Sequence, residues 1–489
     1  MLTTKDKLTE EEIEIGLKSV IKDGLTSQTM VTLTGGVFLV AFALKLGASN
    51  TIIGLLAAIP FLMQLLQIPT IYLIEKFRQR KLITVFGSGI SRIFWLLIAI
   101  TPLIFSGQIR LIVVISAIIF ISIFGAIAGA SWNPWMRDLI PQQRLGAFFS
   151  KRMTLATTLS IPLSLVAAFF IDYWKKQMPD YEIYSYSILF FLGFLAGMLG
   201  VYFVSTIPEP TMPLVERKEK LLKIILQPFK DTNFKNLIIF LSAWNFAVNL
   251  AAPFFTVYML VRLQLSMAFV IALTVLSQLS SLLFFRIWGK FSDRLSNKSV
   301  LSVSGPLFMF CIFAWTFTTL PEKHFLTIPL LGIIHIFMGI SIAGVTLATG
   351  NIGLKLAPKG TASSYLAANS LVNSLAAGIA PILGGKLADF FSECELSLTL
   401  KWLSPGTEFI IPSLNFRQWD FFFFIAFLIG TYSIHRLALV KEEGEVEEEI
   451  VIRHLIAEVR RPLRNFSTAG GLIHMIQFPI IMFKHLFKE

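Results

Sequence analysis

The chain has 489 residues, of which 55% are hydrophobic and only 15% are charged. Because a soluble globular chain carries about 25% charged residues, this composition excludes a water-surrounded globular protein and indicates a membrane protein. The formal net charge of +12 arises in short gaps between apolar runs. That placement suggests loops at an anionic membrane surface and argues against a nucleic-acid partner.

Twelve apolar stretches of about 20 residues follow one another, and each can cross about 30 Å of hydrocarbon. The predicted fold is therefore an all-α membrane protein with twelve transmembrane helices, and an even number of crossings leaves both termini on one side. The predicted spans are 24–46, 50–73, 82–105, 109–131, 152–173, 183–206, 236–261, 266–288, 300–320, 325–349, 362–388 and 419–440.

These spans divide the chain into five segments. We expect a charged N-terminal segment at 1–23, six-helix bundles at 24–206 and 236–440, a polar linker at 207–235 and a tail at 441–489. The charged first part of the tail is typical of an amphipathic helix. Its last apolar run is short and is interrupted by His474 and Pro479. We expect that run to lie in the membrane interface, in contact with lipids, rather than to form a thirteenth span.

Lys and Arg residues are distributed unevenly between the two sides of the membrane. The side of the termini holds 32 of the 42, the other side holds nine, and Arg92 falls within a span. By the positive-inside rule, this asymmetry places both termini in the cytoplasm. No cleavable signal peptide is visible, so the first span is expected to direct insertion into the plasma membrane.

The two halves of the chain resemble each other, which predicts a duplication of six spans. Residues at equivalent places in the two halves recur at an offset of 214 to 217 positions. The matched pairs are Lys76 with Lys290, Pro141 with Pro358, and Asp172 with Asp389. The last two residues each end the fifth span of their half.

Three stretches carry a resemblance to a known superfamily. Gly289-x-x-x-Asp293-Arg294, with Lys298 four residues on, resembles the loop signature of the major facilitator superfamily between the second and third spans of a half. LGASNTIIGLLAAIP at 46–60 resembles that family's entry into its second helix, and WNPWMRDLIPQQRLGAFFSKR at 132–152 resembles its loop 4–5 pattern. The resemblance covers most of the chain and is closest to bacterial members without an assigned solute.

The resemblance implies two six-helix bundles that rock around a central cavity and open it to one side of the membrane at a time. It implies that spans 1, 4, 7 and 10 line the cavity and that spans 2, 5, 8 and 11 form the seam between the halves. A bacterial inner membrane, a small-molecule solute and a monomeric protein are the corresponding expectations for location and partners.

The loop after span 8 predicts a gate. In such a fold it lies beside the start of span 5, where Arg152 and free backbone N–H groups would hold the Asp293 carboxylate. Gly289 would permit a close approach, while Arg294 and Lys298 could reach carbonyls or lipid phosphates. We expect this contact only when the cytoplasmic side is shut. The alternative is that these charges merely anchor a turn and set the topology.

The loop after span 2 is a weaker copy of the same pattern. Glu75 takes the place of the glycine and Gln79 that of the aspartate, while Arg80 and Lys81 remain. Gln79 could hydrogen-bond to the start of span 11, near 361–363, but it brings no negative charge. We therefore expect the weaker of two latches on this side.

Two ionisable residues lie inside predicted spans, where they are costly and are candidates for solute binding. Arg92 lies near the middle of span 3, and no Asp or Glu is predicted at its depth in the first half. His335 lies in the middle of span 10. A structural role is the alternative for each residue.

Polar side chains in spans 7 and 11 are further candidates for solute contacts. Asn245 and Asn249 share one helix face, Asn369 and Asn373 share another, and Trp244 could stack on a ring. The alternatives are hydrogen bonds between helices for the amides and ordinary packing for Trp244. The Gly- and Pro-rich stretch GIAPILGG at 378–385 indicates close helix packing.

No Asp or Glu falls within predicted spans 1, 4, 7 or 10, so the membrane carboxylate that ion coupling commonly uses is missing. The sequence therefore favours a facilitator or an exchanger of a small solute over an ion-coupled transporter. No nucleotide-binding motif, metal cluster or nucleophilic triad is present, so we expect no enzyme activity, cofactor or metal. The alternatives are a lipid- or drug-exporting member of the fold and a transport-dead receptor or scaffold.

Overall fold

In a computed structural model, the protein is described over residues 5, 8–141, 144–212, 226–319, 322–358, 362–404, 407–446 and 449–456. At 362–363, 407 and 409–414 the description covers the backbone alone. The predicted interfacial run at the end of the tail lies outside the described residues, as does the middle of the linker between the halves, 213–225.

Within the described residues, twelve helices are long and apolar enough to cross a membrane, as the sequence predicts. They are Glu10–Lys45, Asn50–Phe77, Arg80–Ile104, Ile109–Leu139, Leu145–Gln177, Pro179–Thr206, Thr232–Arg262, Met267–Arg294, Asn297–Phe317, Thr327–Leu356, Ser364–Glu393 and Trp419–Ala438. We number them as spans 1 to 12.

Span 1 begins much earlier than predicted. Thr9 and Glu12 form a capping box, in which the Thr9 hydroxyl accepts from the Glu12 N–H (3.2 Å) and the Glu12 carboxylate accepts from the Thr9 N–H (3.0 Å). The helix therefore starts at Glu10. The predicted N-terminal segment 1–23 belongs largely to this helix, so Asp23 is an intramembrane candidate that the sequence boundaries missed.

Span 1 is also interrupted, as two helices, Glu10–Thr34 and Gly36–Lys45, meet at Gly35. Gly36 has a φ of +54°, a left-handed conformation that residues with a Cβ rarely adopt. The second helix has no side-chain cap at its N-terminus.

The halves meet along two seams, one between spans 2 and 11 and one between spans 5 and 8. Glycines make the first seam tight. A Cβ on Gly54 would lie 2.0 Å from the Pro381 carbonyl oxygen, and one on Gly385 would lie 2.4 Å from the Asn50 carbonyl oxygen. The close packing predicted for the Gly- and Pro-rich stretch of span 11 is therefore confirmed.

A β-hairpin joins spans 11 and 12 where the sequence predicted only a loop. Strands β1 (Glu395–Ser404) and β2 (Thr407–Arg417) pair antiparallel, with an irregularity between Leu398 and Thr399. Its root is fixed by Arg262 of span 7, whose guanidinium donates to the Arg417 carbonyl oxygen (3.0 Å) and lies 3.4 Å from the Asp420 carboxylate.

Candidate functional site

A central cavity of about 860 Å³ lies between the two halves. Its wall includes residues of spans 1, 2, 4 and 5 from the first half and of spans 7, 8 and 10 from the second. This volume lies within the usual range of small-molecule sites. Both halves therefore line the cavity. A binding site that opens and closes by relative motion of the halves requires this arrangement.

The cavity wall is uncharged, since its described lining residues include no Asp, Glu, Lys or Arg. Apolar and aromatic side chains make up most of it, and hydroxyl, amide and imidazole groups supply the polar contacts. The polar lining residues are Gln28, Ser122, Thr157, Ser160, Thr256, Thr274, Ser277, Gln278, Ser281 and His335. A wall of this kind suits an uncharged molecule with an apolar body and a few hydrogen-bonding groups.

His335 is the one residue of the predicted solute-binding set that lines the cavity. Its Nδ1 donates to the Leu331 carbonyl oxygen at 2.8 Å, and its ring packs edge-on against Trp315 with centroids 5.5 Å apart. Because Nδ1 carries the hydrogen in this bond, Nε2 of the neutral ring is left as an acceptor. The ring is 5% exposed, so its position is fixed by packing.

The break in span 1 lies in the cavity wall. Gly35, Gly36 and Val37 line the cavity where the second helix of span 1 begins. An uncapped helix N-terminus presents backbone N–H groups and the positive end of the helix dipole. Interrupted transmembrane helices commonly place such ends at a binding site.

At the end away from the termini, hydrogen bonds join the two halves where span 11 meets the start of span 2. The Asp389 carboxylate accepts hydrogen bonds from the Asn50 backbone N–H (3.1 Å) and side-chain amide (2.9 Å). It also accepts from the Thr51 backbone N–H (2.9 Å) and hydroxyl (2.6 Å). A carboxylate of the second half therefore caps a helix of the first half.

The same contact recurs with the halves exchanged. The Asp172 carboxylate at the end of span 5 accepts from the backbone N–H groups of Met267 (3.0 Å) and Ala268 (2.7 Å) at the start of span 8. We call these two contacts the end latches. The sequence carried the signal, because Asp172 and Asp389 lie 217 residues apart. They were used only to recognise the duplication and were missed as functional residues.

At the opposite end, the predicted gate does not meet its partner. Asp293 is exposed and lies in the last turn of span 8. Arg152, its expected partner, instead lies 3.5 Å from the Asp23 carboxylate, donates to the Val20 carbonyl oxygen at 3.3 Å and stacks over Trp132. Since the latches close the other end, this separation accords with a gate that forms only when this end shuts.

The structure places three further gate-loop residues, Gly289, Arg294 and Gln79, at or near the ends of spans 8 and 3. A Cβ on Gly289 would first meet Leu347 at 3.8 Å, an ordinary contact, so no close approach requires glycine there. Arg294 is exposed at the end of its helix. Gln79 is exposed too, and its expected partners near 361–363 lie outside the described side chains.

The register of the two loop copies also needs correction. The residue that precedes the first turn of span 3 is Gln79 and that of span 9 is Ser296, again 217 residues apart. Lys81 therefore corresponds to Lys298, and Asp293 corresponds to Lys76 rather than to Gln79. The predicted alignment was wrong because it matched the Lys-Phe pairs at an offset of 214.

The basic residues of both loops are held by glutamates that follow the last span of the same half. Glu209 accepts from the backbone N–H groups of Arg80 (2.7 Å) and Lys81 (3.2 Å). The Arg80 side chain is 1% exposed and contacts Asp138 as well. These contacts anchor each loop within its own half.

In the second half, Glu442 accepts from the Lys298 N–H (2.7 Å) and the Asn297 amide (2.9 Å). Glu445 accepts from the Lys298 ammonium at 2.8 Å. That hydrogen bond lowers the pKa of the Glu445 carboxyl below its usual value. The start of the tail is thus bound to the loop that the sequence assigned to gating.

Arg92 lies outside the central cavity and has a carboxylate partner, Asp23, which the predicted start of span 1 at residue 24 had placed outside the span. Its Nη2 donates to the Ser27 hydroxyl at 2.8 Å and lies 3.6 Å from Asp23. The Asp23 carboxylate also accepts a hydrogen bond from the Ser27 hydroxyl (2.9 Å). The expectation of no Asp or Glu at the depth of Arg92 was therefore wrong, and the cause was the late predicted start of span 1.

The structure places the other predicted solute contacts away from the central cavity. Asn245 donates to the Leu241 carbonyl oxygen (2.7 Å) and Asn249 to the Asn245 carbonyl oxygen (2.8 Å), both within their own helix. Trp244 is 5% exposed and packs against Phe308.

In span 11, the Asn373 amide donates to the Asn369 side-chain oxygen at 3.1 Å. This bond joins two neighbouring turns of one helix. The hydrogen bonds of these candidate amides in spans 7 and 11 therefore stay within their own helices, rather than running between helices or to the cavity.

The family model of the Major Facilitator Superfamily matches residues 24–381. The chain belongs to this superfamily. It is therefore a multi-pass membrane protein and a secondary transporter of a small-molecule solute. No curated protein sequence matches this chain.

Solved structures show the same fold at low sequence identity. The nucleoside transporter NupG has a TM-score of 0.59 and 13% identity, covering 89% of this chain and 100% of that one. A bacterial homologue of the iron transporter ferroportin in an inward-facing state has a TM-score of 0.59 and 10% identity, covering 89% and 100%. An inward-facing, unoccupied bacterial homologue of Spinster has a TM-score of 0.55 and 12% identity, covering 88% and 95%.

Proposed function

We propose that this superfamily member moves an uncharged small solute through the central cavity, as a facilitator or an exchanger. The observation that carries the proposal is the uncharged wall, in which hydroxyl, amide and imidazole groups face a cavity of about 860 Å³. A charged solute would lose its hydration there without gaining an opposite charge, which costs several kcal/mol or more. An uncharged solute would lose only hydrogen bonds that the wall can replace.

The contacts of the solute would come from both halves. Gln28 and the N–H groups at the break in span 1 would hold one side, and Gln278 and His335 would hold the other. A solute bridging the halves has a different affinity for each arrangement of them, which alternating access requires. The size of the cavity argues against a transport-dead protein with a filled centre.

We place the protein in a bacterial inner membrane as a monomer, with both termini in the cytoplasm. The excess of Lys and Arg on the side of the termini supports their cytoplasmic placement. The bacterial membrane and the monomer follow from the resemblance to bacterial members of the superfamily. In this orientation the end latches lie on the outer side, and the state described here faces inward. The same orientation puts the tail and both gate loops in the cytoplasm.

A ligand screen by thermal unfolding of the purified protein tests this proposal. We expect uncharged polyols, sugars or nucleosides to include a compound that raises the unfolding temperature, because a ligand that binds only the folded state stabilises it. The shift should be lost in Gln278→Ala and His335→Ala. It should persist in Asn245→Ala, whose amide bonds to its own helix backbone. Stabilisation by carboxylates or amines alone would contradict an uncharged solute.

A further inference from the structure

The hairpin between spans 11 and 12 carries a row of apolar side chains on one face. In β1 the residues that share this face are Leu396, Leu398, Leu400 and Trp402. Trp402 is 71% exposed and Leu400 is 59% exposed, so no described part of the chain covers this row. A strand of ten residues extends about 33 Å. The row is therefore a long, narrow and apolar surface.

The charged residues of the hairpin lie on its other face. Glu395 pairs with Arg417 in the strand register, and the two side chains form an ion pair of 2.7 Å. Lys401 lies on the same face and forms an ion pair with Glu408. Because the two pairs cancel, the hairpin has no net charge with which to attract a charged partner.

The apolar face of the hairpin is continuous with aromatic side chains at the ends of spans 11 and 12. Phe416, the register partner of Leu396, packs against Phe421 and Phe424 of span 12, with ring centroids 6.0 and 5.6 Å apart. Phe421 in turn stacks on Phe391 at the end of span 11, at 4.6 Å. The strands begin and end within two residues of the spans, so the hairpin leaves the bundle at the membrane boundary.

We propose that the hairpin lies on the membrane surface at the latch end and that its apolar face binds lipid. An isolated two-stranded hairpin is only marginally stable in water, so burial of this row in the acyl chains would stabilise it. The free backbone groups at the outer edges of β1 and β2 need hydrogen-bond partners. They keep the hairpin at the hydrated headgroups, with Trp402 suited to that interface. The contact adds a lipid-binding surface to the transporter and is independent of its solute.

The proposal is tested by measuring how often spin labels on the hairpin collide with oxygen and with a water-soluble nickel complex, in lipid nanodiscs that each hold one copy of the protein. Single labels would be placed at Leu400→Cys and Trp402→Cys on the apolar face, and at Thr399→Cys and Lys401→Cys on the polar face. The background carries Cys394→Ser, because Cys394 is exposed whereas Cys311 is buried. We expect labels at 400 and 402 to collide severalfold more with oxygen and severalfold less with a water-soluble nickel complex than labels at 399 and 401.

Two results would overturn this assignment. Equal nickel access on both faces would show that the apolar row stays in water. The other result is that labels at 400 and 402 are protected from the nickel complex only in vesicles that hold several copies of the protein, with spin–spin broadening that disappears when unlabelled protein is added. That result would assign the surface to a second copy of the chain.

Discussion

The Asp389 carboxylate of span 11 accepts two hydrogen bonds from Thr51 at the start of span 2, one from the hydroxyl at 2.6 Å and one from the backbone N–H at 2.9 Å. These residues belong to different halves of the transporter. Their contact must break whenever the halves separate at this end. Together with Asp172 on the other seam, Asp389 stabilises the state in which this end is closed.

Replacing Asp389 with asparagine should favour opening of the latch end. Asn keeps the shape but loses the charge that the helix N-terminus stabilises, which costs about 1 kcal/mol and shifts the two states by about fivefold. The measurement uses a Thr256→Cys thiol in the cavity wall, in a Cys394→Ser background, and an impermeant thiol reagent added at the latch end. The rate at which this thiol reacts should rise by about the same factor. Asp180→Asn, an exposed carboxylate at the same end, is the matched control and should leave the rate unchanged.

Replacing Asp23 should destabilise the protein strongly. Asp23 is 4% exposed and its carboxylate lies between Arg92 and Arg152, so Asp23→Asn leaves the buried Arg92 and the partly buried Arg152 without that negative charge. Loss of one partner from such a site costs about 3–5 kcal/mol. Glu14→Gln, on the same helix, breaks an exposed pair with Arg144 and should cost about 1 kcal/mol or less. Thermal unfolding of the purified variants would measure the loss of stability in Asp23→Asn and in Glu14→Gln. Equal losses in the two variants would contradict a buried charge cluster at Asp23.

Acidification should loosen the contact between Glu445, at the start of the tail, and Lys298 of span 9. Lys298 lowers the pKa of Glu445, so the ionised carboxyl binds more tightly in the folded protein. Its contribution is present above the usual value of 4.5 and is lost as the pH falls through the lowered value. A spin label at Glu443→Cys should become more mobile over that range. In Glu445→Gln this pH-dependent change in label mobility should disappear. If it is unchanged in that variant, another titrating group causes it.

The two cysteines give a direct test of orientation. Cys394 is exposed at the root of the hairpin, whereas Cys311 is buried in span 9. With cytoplasmic termini, an impermeant maleimide added to intact cells should label the wild type and spare Cys394→Ser. Labelling that requires permeabilised cells would reverse the proposed orientation.

The sequence predicts the twelve spans and the duplication well, because long apolar runs and repeated positions are local signals. It places the start of span 1 poorly, since Asp23 and its neighbours make that turn polar even though Arg92 and Arg152 neutralise it in the fold. The end latches depend on contacts between residues more than 90 positions apart. The charges of Asp172 and Asp389 and the starts of spans 2 and 8 were visible in the sequence. The pairing of each carboxylate with a helix start of the other half was not, because it depends on how the two halves pack.

We expect the end latches to hold the two halves together in one of two alternating states. Pulsed electron-electron distances can test it with two label pairs that each bridge the halves, one at Tyr173 and Phe325 near the latches and one at Phe77 and Leu354 at the other end. All four residues are exposed. In the double variant Asp172→Asn/Asp389→Asn, the first distance should lengthen and the second should shorten relative to the wild type. Unchanged distance distributions for both pairs would show that the latches do not hold this state.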